Sequence, residues 1–300
     1  MNNSKFGRPK EILKRNNKIK AEKSKIIAMS IVFVVFSIYA LTLLYPFLWL
    51  ILNSLKTRAQ FNYDLWGLPT AFYIENYLYA FSLEYNGVTM LGMIGNTMIF
   101  VVGMTVASMF FVTITAYTVS RYNFFGKNFL YTFQFIIMLV PTVGNIAAIY
   151  KLYHQLGFYD TYWGLIVTRT GGFGMGFLML YAFFKNISWS YAEAAFIDGA
   201  GHYQVMFKIM VPMAMPAIIA WSIKTALGVW DDYLTFYLYA PSKITLAYGL
   251  FSLSVANKFG KVSYPELFAA LVISTIPVVV VYSSCQGFIT RNTQIGGIKG

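Results

Sequence analysis

The chain is 300 residues long, 58% hydrophobic and only 11% charged, with a net charge of +12 and a single cysteine. Soluble globular domains carry about 25% charged residues, so the composition excludes that class and points to a polytopic membrane protein. Nine lysines and arginines crowd the first 25 residues ahead of any apolar run, which marks a cytoplasmic anchor rather than a nucleic-acid surface, and Cys285 has no second cysteine to pair with.

In chain order, the basic tail, 1–25, leads into the first apolar stretch, Ile26 to Leu52, within a unit covering 26–56. This stretch is too long for the apolar region of a signal peptide and no A-x-A site follows it, so it reads as an uncleaved helix. A loop, 57–90, comes next. Five further stretches of spanning length follow: Leu91 to Val119, Phe129 to Tyr150, Tyr162 to Phe184, Val211 to Val229 and Leu267 to Ile289. The sequence therefore predicts an all-α fold with six transmembrane helices, its core in 91–290 and a short tail in 291–300.

Positive charge sets the direction. The N-terminal tail, Arg121 and Lys127, Lys185 and Lys208, and Arg291 and Lys299 all fall on one side, which predicts a cytoplasmic location for both termini. The external side receives 57–90, a turn around Gln155 to Thr161, and Asp231 to Glu266. Several spans contain helix breakers: Pro46, Pro141 with Gly144, the glycines 171, 172, 174 and 176, and Pro277. Such residues have two readings, close helix packing through small side chains, or a break covered by protein or a water-filled cavity.

Between the fourth and fifth spans, 185–216 is too polar for the membrane and too patterned for a plain loop. Ser190 precedes Glu193 by three residues, the spacing of a capping box, so a helix is expected to begin there and run through Ala194, Ala195 and Ile197. Gly199 and Gly201 would end it, and a second short helix over Tyr203 to Met210 would stop before Pro212. Glu193 serves either that cap or a basic group on a partner; Asp198 serves the turn or the same partner; His202 reads as a solvated loop residue.

Glu193, Ala194, Ala195, Asp198, Gly199, Ala200, Phe207, Ile209, Pro212 and Pro216 are in register with the cytoplasmic signature of ABC importer permeases, which the chain resembles over roughly Ala71 to Gly300. The likeness is to the carbohydrate branch, the smaller permease of maltose-type systems. It rests on Leu156, Gly157, Asp160, Thr161, Tyr162 and Trp163, on Trp230 with Asp231 and Asp232, and on the ending Gly297, Lys299, Gly300. Asp231 stands where asparagine is usual in that branch, and Ser188 and Ser190 stand where a proline and an acidic residue are usual.

The resemblance implies a permease subunit in a bacterial plasma membrane that translocates a sugar or oligosaccharide delivered by an external solute-binding protein. It implies a second, homologous permease and two copies of an ATP-binding subunit as partners. In that scheme the coupling segment, 185–216, docks into the ATPase through Glu193, Ala194, Ala195, Asp198, Gly199, Ala200 and Pro212. ATP and Mg are held by the ATPase, and this chain holds no cofactor or metal. Arg169 and Lys224 fall inside predicted spans. They either face the substrate path with Trp230 and Asp231 or reflect snorkelling and a misplaced span boundary.

Other classes fit less well. The predicted spans hold no Asp or Glu for the proton or ion relay of a secondary transporter. Two histidines and one cysteine at scattered positions offer no enzyme site, and no G-x-x-x-x-G-K-[ST] loop is present for ATP hydrolysis. Within the importers, a peptide or phosphonate permease is the alternative to a sugar permease.

Overall fold

The computed structural model describes residues 9–139, 144–257 and 262–293. Helix α1, Pro9–Ser54, carries the first apolar stretch and continues through Pro46 without a break. No residue in its most apolar window is buried, and it packs against the last helix of the chain.

The loop that follows is folded rather than plain. Thr57 caps α2, Arg58–Tyr63, by accepting the Gln60 N–H at 3.2 Å. Helix α3, Glu75–Ser82, is tied to the end of α1 by Asn76, whose amide donates to the Ser54 and Lys56 carbonyls at 2.8 Å each. Two short antiparallel strands, β1 Glu84–Tyr85 and β2 Val88–Thr89, form the small exception to an all-α fold. Their turn is Asn86-Gly87, both at positive φ (49° and 81°), the chemistry that a two-residue hairpin turn requires.

Helix α4, Met90–Arg121, is the axis on which the rest assembles. Helix α5, Lys127–Leu139, and α6, Ile146–Gln155, occupy the third predicted stretch. This stretch is not one continuous helix in the described residues, and Pro141 lies outside them. The fourth is α7, Tyr162–Val167, and α8, Met175–Asn186, separated by a bend. Gly174, at φ 119°, starts α8 and donates its N–H to Gln134 Oε1 at 2.9 Å, so the break is held by a buried side chain from α5. Gly176 serves the other reading: a Cβ there would lie 2.2 Å from Trp221 Nε1.

Beyond α8 come α9, Ser190–Ile197, and α10, His202–Val205. A π turn, Met206–Met210, then joins α10 to α11, Val211–Trp230. The predicted loop after α11 is again structured, as α12, Tyr233–Tyr239, and α13, Leu246–Asn257. Leu246, Leu250 and Leu253 of α13 are buried, and its start is capped by Thr97 Oγ1, which accepts the Leu246 N–H at 2.8 Å. Helix α14, Tyr264–Thr293, follows α13 and runs unbroken through Pro277. Residues 294–300, with Gly297, Lys299 and Gly300, and residues 1–8 of the basic tail lie outside the described residues.

Four described helices are long and apolar enough to cross a membrane: Ser24–Ser54, Met90–Arg121, His202–Trp230 and Tyr264–Gln286. Two buried clusters hold the ends of the bundle together. One packs Phe100 against Tyr162 and Phe236 beside α13, at the end that carries the hairpin. The other packs Tyr117 and Phe184 with Ala192 and Val205, at the end that carries α9.

Candidate functional site

Helix α9 begins one residue off the expected box. Its N-cap is Trp189 with no side-chain cap, so Ser190 is already helical and its hydroxyl pairs with Ser188 Oγ at 2.7 Å instead. Spacing of three to four residues then divides the helix. Ala192 is fully buried and Ala195 nearly so, whereas Glu193, Ala194, Ile197 and Asp198 are exposed on the other side. Ala195 therefore anchors the helix inward and is not part of its outer face.

The helix stops as the glycine pattern predicts. Gly199 sits at φ 81°, its N–H donates to Phe196 O at 3.1 Å, and the Ala200 N–H reaches back to Ala195 O at 2.9 Å. This is a Schellman ending, and a Cβ at that φ adds strain of about 1 kcal/mol. The reciprocal cap lies one turn later, where the Gly201 N–H donates to Gln204 Oε1 at 3.0 Å. Pro212 does not end the second helix. The chain is helical from His202 to Trp230, with the Val211 N–H reaching Met206 O across the π turn. Pro212 directly follows the π turn inside this continuous helix, which it does not interrupt.

His202 is exposed, but it opens α10 rather than lying in a loop, and it makes two contacts. Its Nδ1 is 3.1 Å from the Tyr122 hydroxyl, and its ring packs edge-on against Phe196 with centroids 5.0 Å apart. Arg121, read from the sequence as a topology signal, donates from Nη2 to the carbonyls of Phe184 and Ile187 and lies 5.4 Å from the Trp189 ring centroid. It thus ties the end of α4 to the end of α8 and the start of α9. A basic residue at a helix end beside an aromatic-rich segment was the available signal.

At the opposite end, Arg169 lies in the bend between α7 and α8, outside either helix. Its Nη2 is 3.1 Å from Asp232 Oδ2, with side chains 42% and 19% exposed. The other Asp232 oxygen accepts the Thr235 N–H at 3.0 Å and caps α12. Lys224 does lie within a continuous helix, exposed, with its ammonium 4.3 Å from the Trp221 ring centroid. Lys224, Gly228 and Asp231 recur at four- and three-residue steps and form one exposed stripe on α11.

Trp230 is buried, and its indole N–H donates to Ser274 O at 3.2 Å. It borders a cleft of about 310 Å³ shared with Asp231, Leu250, Phe251 and Ser254. Partial burial raises the Asp231 carboxyl above its ordinary pKa. Among the described residues, no group of three His, Cys, Asp or Glu side chains could hold a metal ion.

Residues 113–295 match the profile of a family described as "Binding-protein-dependent transport system inner membrane component". The chain is 30% identical to the polygalacturonan/rhamnogalacturonan transport system permease protein YtcP of Bacillus subtilis, over 87% of this chain and 94% of that protein. It is 28% identical to the diacetylchitobiose uptake system permease protein NgcG of Streptomyces coelicolor, over 87% and 86% of the two chains. In fold it is similar to a chain of a bacterial ABC transporter involved in the import of the acidic polysaccharide alginate, with a TM-score of 0.70 at 23% identity, covering 95% of this chain and 99% of that one.

Proposed function

Because this chain belongs to the family of binding-protein-dependent transport system inner membrane components, we propose that it forms half the pore of an ATP-driven importer for a sugar or oligosaccharide. The substrate arrives on an external solute-binding protein. A second, homologous permease completes the pore, and two copies of an ATPase drive it. Six passes cross the membrane, four as long helices and two as the broken pairs α5–α6 and α7–α8. The end with Arg121, Lys127, Lys185 and Lys208 faces the cytoplasm, and the acidic end with Glu75, Asp160, Asp231 and Glu266 faces outward.

One observation carries this reading: an exposed helical face, Glu193, Ala194, Ile197 and Asp198, is joined by a single tight turn to the helix His202–Trp230. The small Ala194 lets the helix approach a groove closely, Ile197 supplies apolar area, and Glu193 and Asp198 meet basic groups. Closure of the ATPase pair on ATP then moves α9, and the continuous helix carries that movement to Lys224, Trp230 and Asp231. The buried face, with Ala192 against the core and Arg121 clamping the approach, makes the segment move with α4 and α8 rather than flex alone.

The test is gentle affinity purification of the tagged chain from native membranes, followed by mass spectrometry. An ATPase, a second permease and a solute-binding protein are expected to co-purify. Recovery of the chain alone, or as a homodimer, under several mild detergents refutes the docking role.

A further inference from the structure

Helix α12 has two kinds of aromatic face. Phe236 and Tyr239 point into the core, 1% and 7% exposed, while Tyr233 and Tyr237, four residues apart, share a second, exposed side. Tyr233 stacks on Phe251 of α13 with centroids 4.2 Å apart and planes at 27°. Tyr237 stands edge-on to both Phe251 and Tyr248, at 6.2 and 5.7 Å, and Tyr85 from the hairpin closes the row 5.9 Å from Tyr248. Each ring is braced by another, so the row is a fixed wall rather than a set of loose surface aromatics. It borders a cleft of about 510 Å³. Phe251 also lines the neighbouring 310 Å³ cleft, which holds Asp231 and Ser254, so the two clefts meet at one ring.

We infer that this wall is a carbohydrate subsite through which substrate passes on its way into the pore, with Tyr233, Tyr237 and Phe251 packing against the C–H faces of a sugar ring and Asp231 and Ser254 accepting its hydroxyls. This deepens the sugar reading above and rests on it. The size suits one or two rings of an oligosaccharide. The mixture of flat apolar faces with a few polar groups suits a sugar and does not suit a lipid chain. By contrast, the larger groove of about 910 Å³ along α4 is lined mainly by aliphatic side chains, with Phe110, Tyr162 and Trp163 at its aromatic part, and its surface is almost wholly apolar. Position agrees with the role: Tyr233 directly follows Asp232, the partner of Arg169, so the wall adjoins the polar end of α11.

The test uses the complete transporter with its binding protein in proteoliposomes and a panel of labelled di- and trisaccharides that includes neutral, N-acetylated and acidic sugars. Tyr233→Ala and Tyr237→Ala are expected to lower the rate of uptake about tenfold, one decade corresponding to about 1.4 kcal/mol. Tyr233→Phe and Tyr237→Phe keep the ring and should stay within about twofold of wild type. ATPase stimulation by the binding protein should persist in all four, which shows that the assembly is intact. Leu variants of the same positions, which keep apolar bulk and remove the ring, replace any Ala variant that fails to assemble and should show the same loss. Saturation-transfer difference NMR on the complex without binding protein should give a sugar signal in wild type that the Ala or Leu variants lose. Uptake and NMR signals that survive removal of the rings, or Phe variants that fall as far as Ala variants, overturn the subsite while leaving the sugar reading intact. A wild type that takes up no sugar of the panel overturns both.

Discussion

Ile197 offers the sharpest perturbation of the proposed docking face. It is 85% exposed at the last position of α9, one residue before the Schellman turn, and its side chain is absent from the buried clusters. Truncation to alanine therefore leaves the fold of the chain unchanged. If α9 inserts into a groove of the ATPase, the same truncation removes three carbons from a buried contact. At about 0.8 kcal/mol for each buried carbon this amounts to about 2.4 kcal/mol, or roughly fifty-fold in affinity. The measurement is a titration of the detergent-solubilised permease with its separately purified ATPase, read by a fluorescent label on the ATPase. Ile197→Asp adds desolvation of a charge to the lost area and should bind more weakly still. Thermal unfolding of both variants in the absence of ATPase should match wild type. ATPase affinity unchanged in both variants would show that this face stays in water in the assembled transporter, and the docking argument would fail at its central residue.

Further outcomes follow from the clamps at either end. Arg121→Met leaves the Phe184 and Ile187 carbonyls without their donor, each worth about 1–3 kcal/mol when buried, so thermal stability in detergent should fall clearly, and Arg121→Lys, with no planar fork, should not restore it fully. At the other end, Arg169→Ala removes one partly exposed ion pair, worth about 0.5–1 kcal/mol, whereas Asp232→Ala removes that pair and the cap of α12, about 1 kcal/mol more; a double-mutant cycle on unfolding midpoints should show that asymmetry, and equal losses would refute the capping role. The Asp231 carboxyl is raised in the folded chain, so its ionised form disfavours folding and stability contributed by this group increases as pH falls. Asp231→Asn should therefore gain on wild type in unfolding midpoint near neutral pH and lose that advantage on acidification, and parallel pH profiles would contradict it.

The sequence is legible where one property decides the structure. Long unbroken apolar runs give α1, α4, α11 and α14, and the Asp198-Gly199-Ala200 run gives the tight turn, because a C-terminal stop at positive φ needs glycine. Elsewhere two local forces compete and the pattern alone does not rank them. A hydropathy window sums over Gly171 to Gly176 and counts one helix, although Gly174 turns the chain and Gln134, distant in sequence, secures the break. Leu246 to Ala256 is apolar but too short for a span, so α13 reads as loop until Thr97 and Phe100 of α4 provide its surroundings. Prolines mislead: Pro46, Pro212 and Pro277 all sit within continuous helix, since one lost hydrogen bond is small beside the packing of a long apolar rod. Of the predicted site, Glu193, Ala194 and Asp198 lie on the exposed face of α9, but Ala195 is buried and the exposed Ile197 is absent from the predicted set, because residue type alone does not fix which side of a short helix packs; the pairing of Arg169 with Asp232 and of His202 with Tyr122 required the fold, because 63 and 80 residues separate those partners.

The π turn at Met206–Met210 fixes more than continuity. Successive residues of an α-helix advance by about 100° in azimuth, so one additional residue accommodated in a single wide turn rephases everything before it relative to everything after. The π turn thus sets the bearing of the exposed α9 face relative to that of the exposed Lys224–Asp231 stripe. The five residues of the wide turn span about the rotation that four span at ordinary pitch, so excision of one residue within 206–210 would let the turn relax while both faces keep close to their present bearings. In the transporter proposed above, a single wide turn would therefore set the angle between the face offered to the ATPase and the stripe offered to the substrate path.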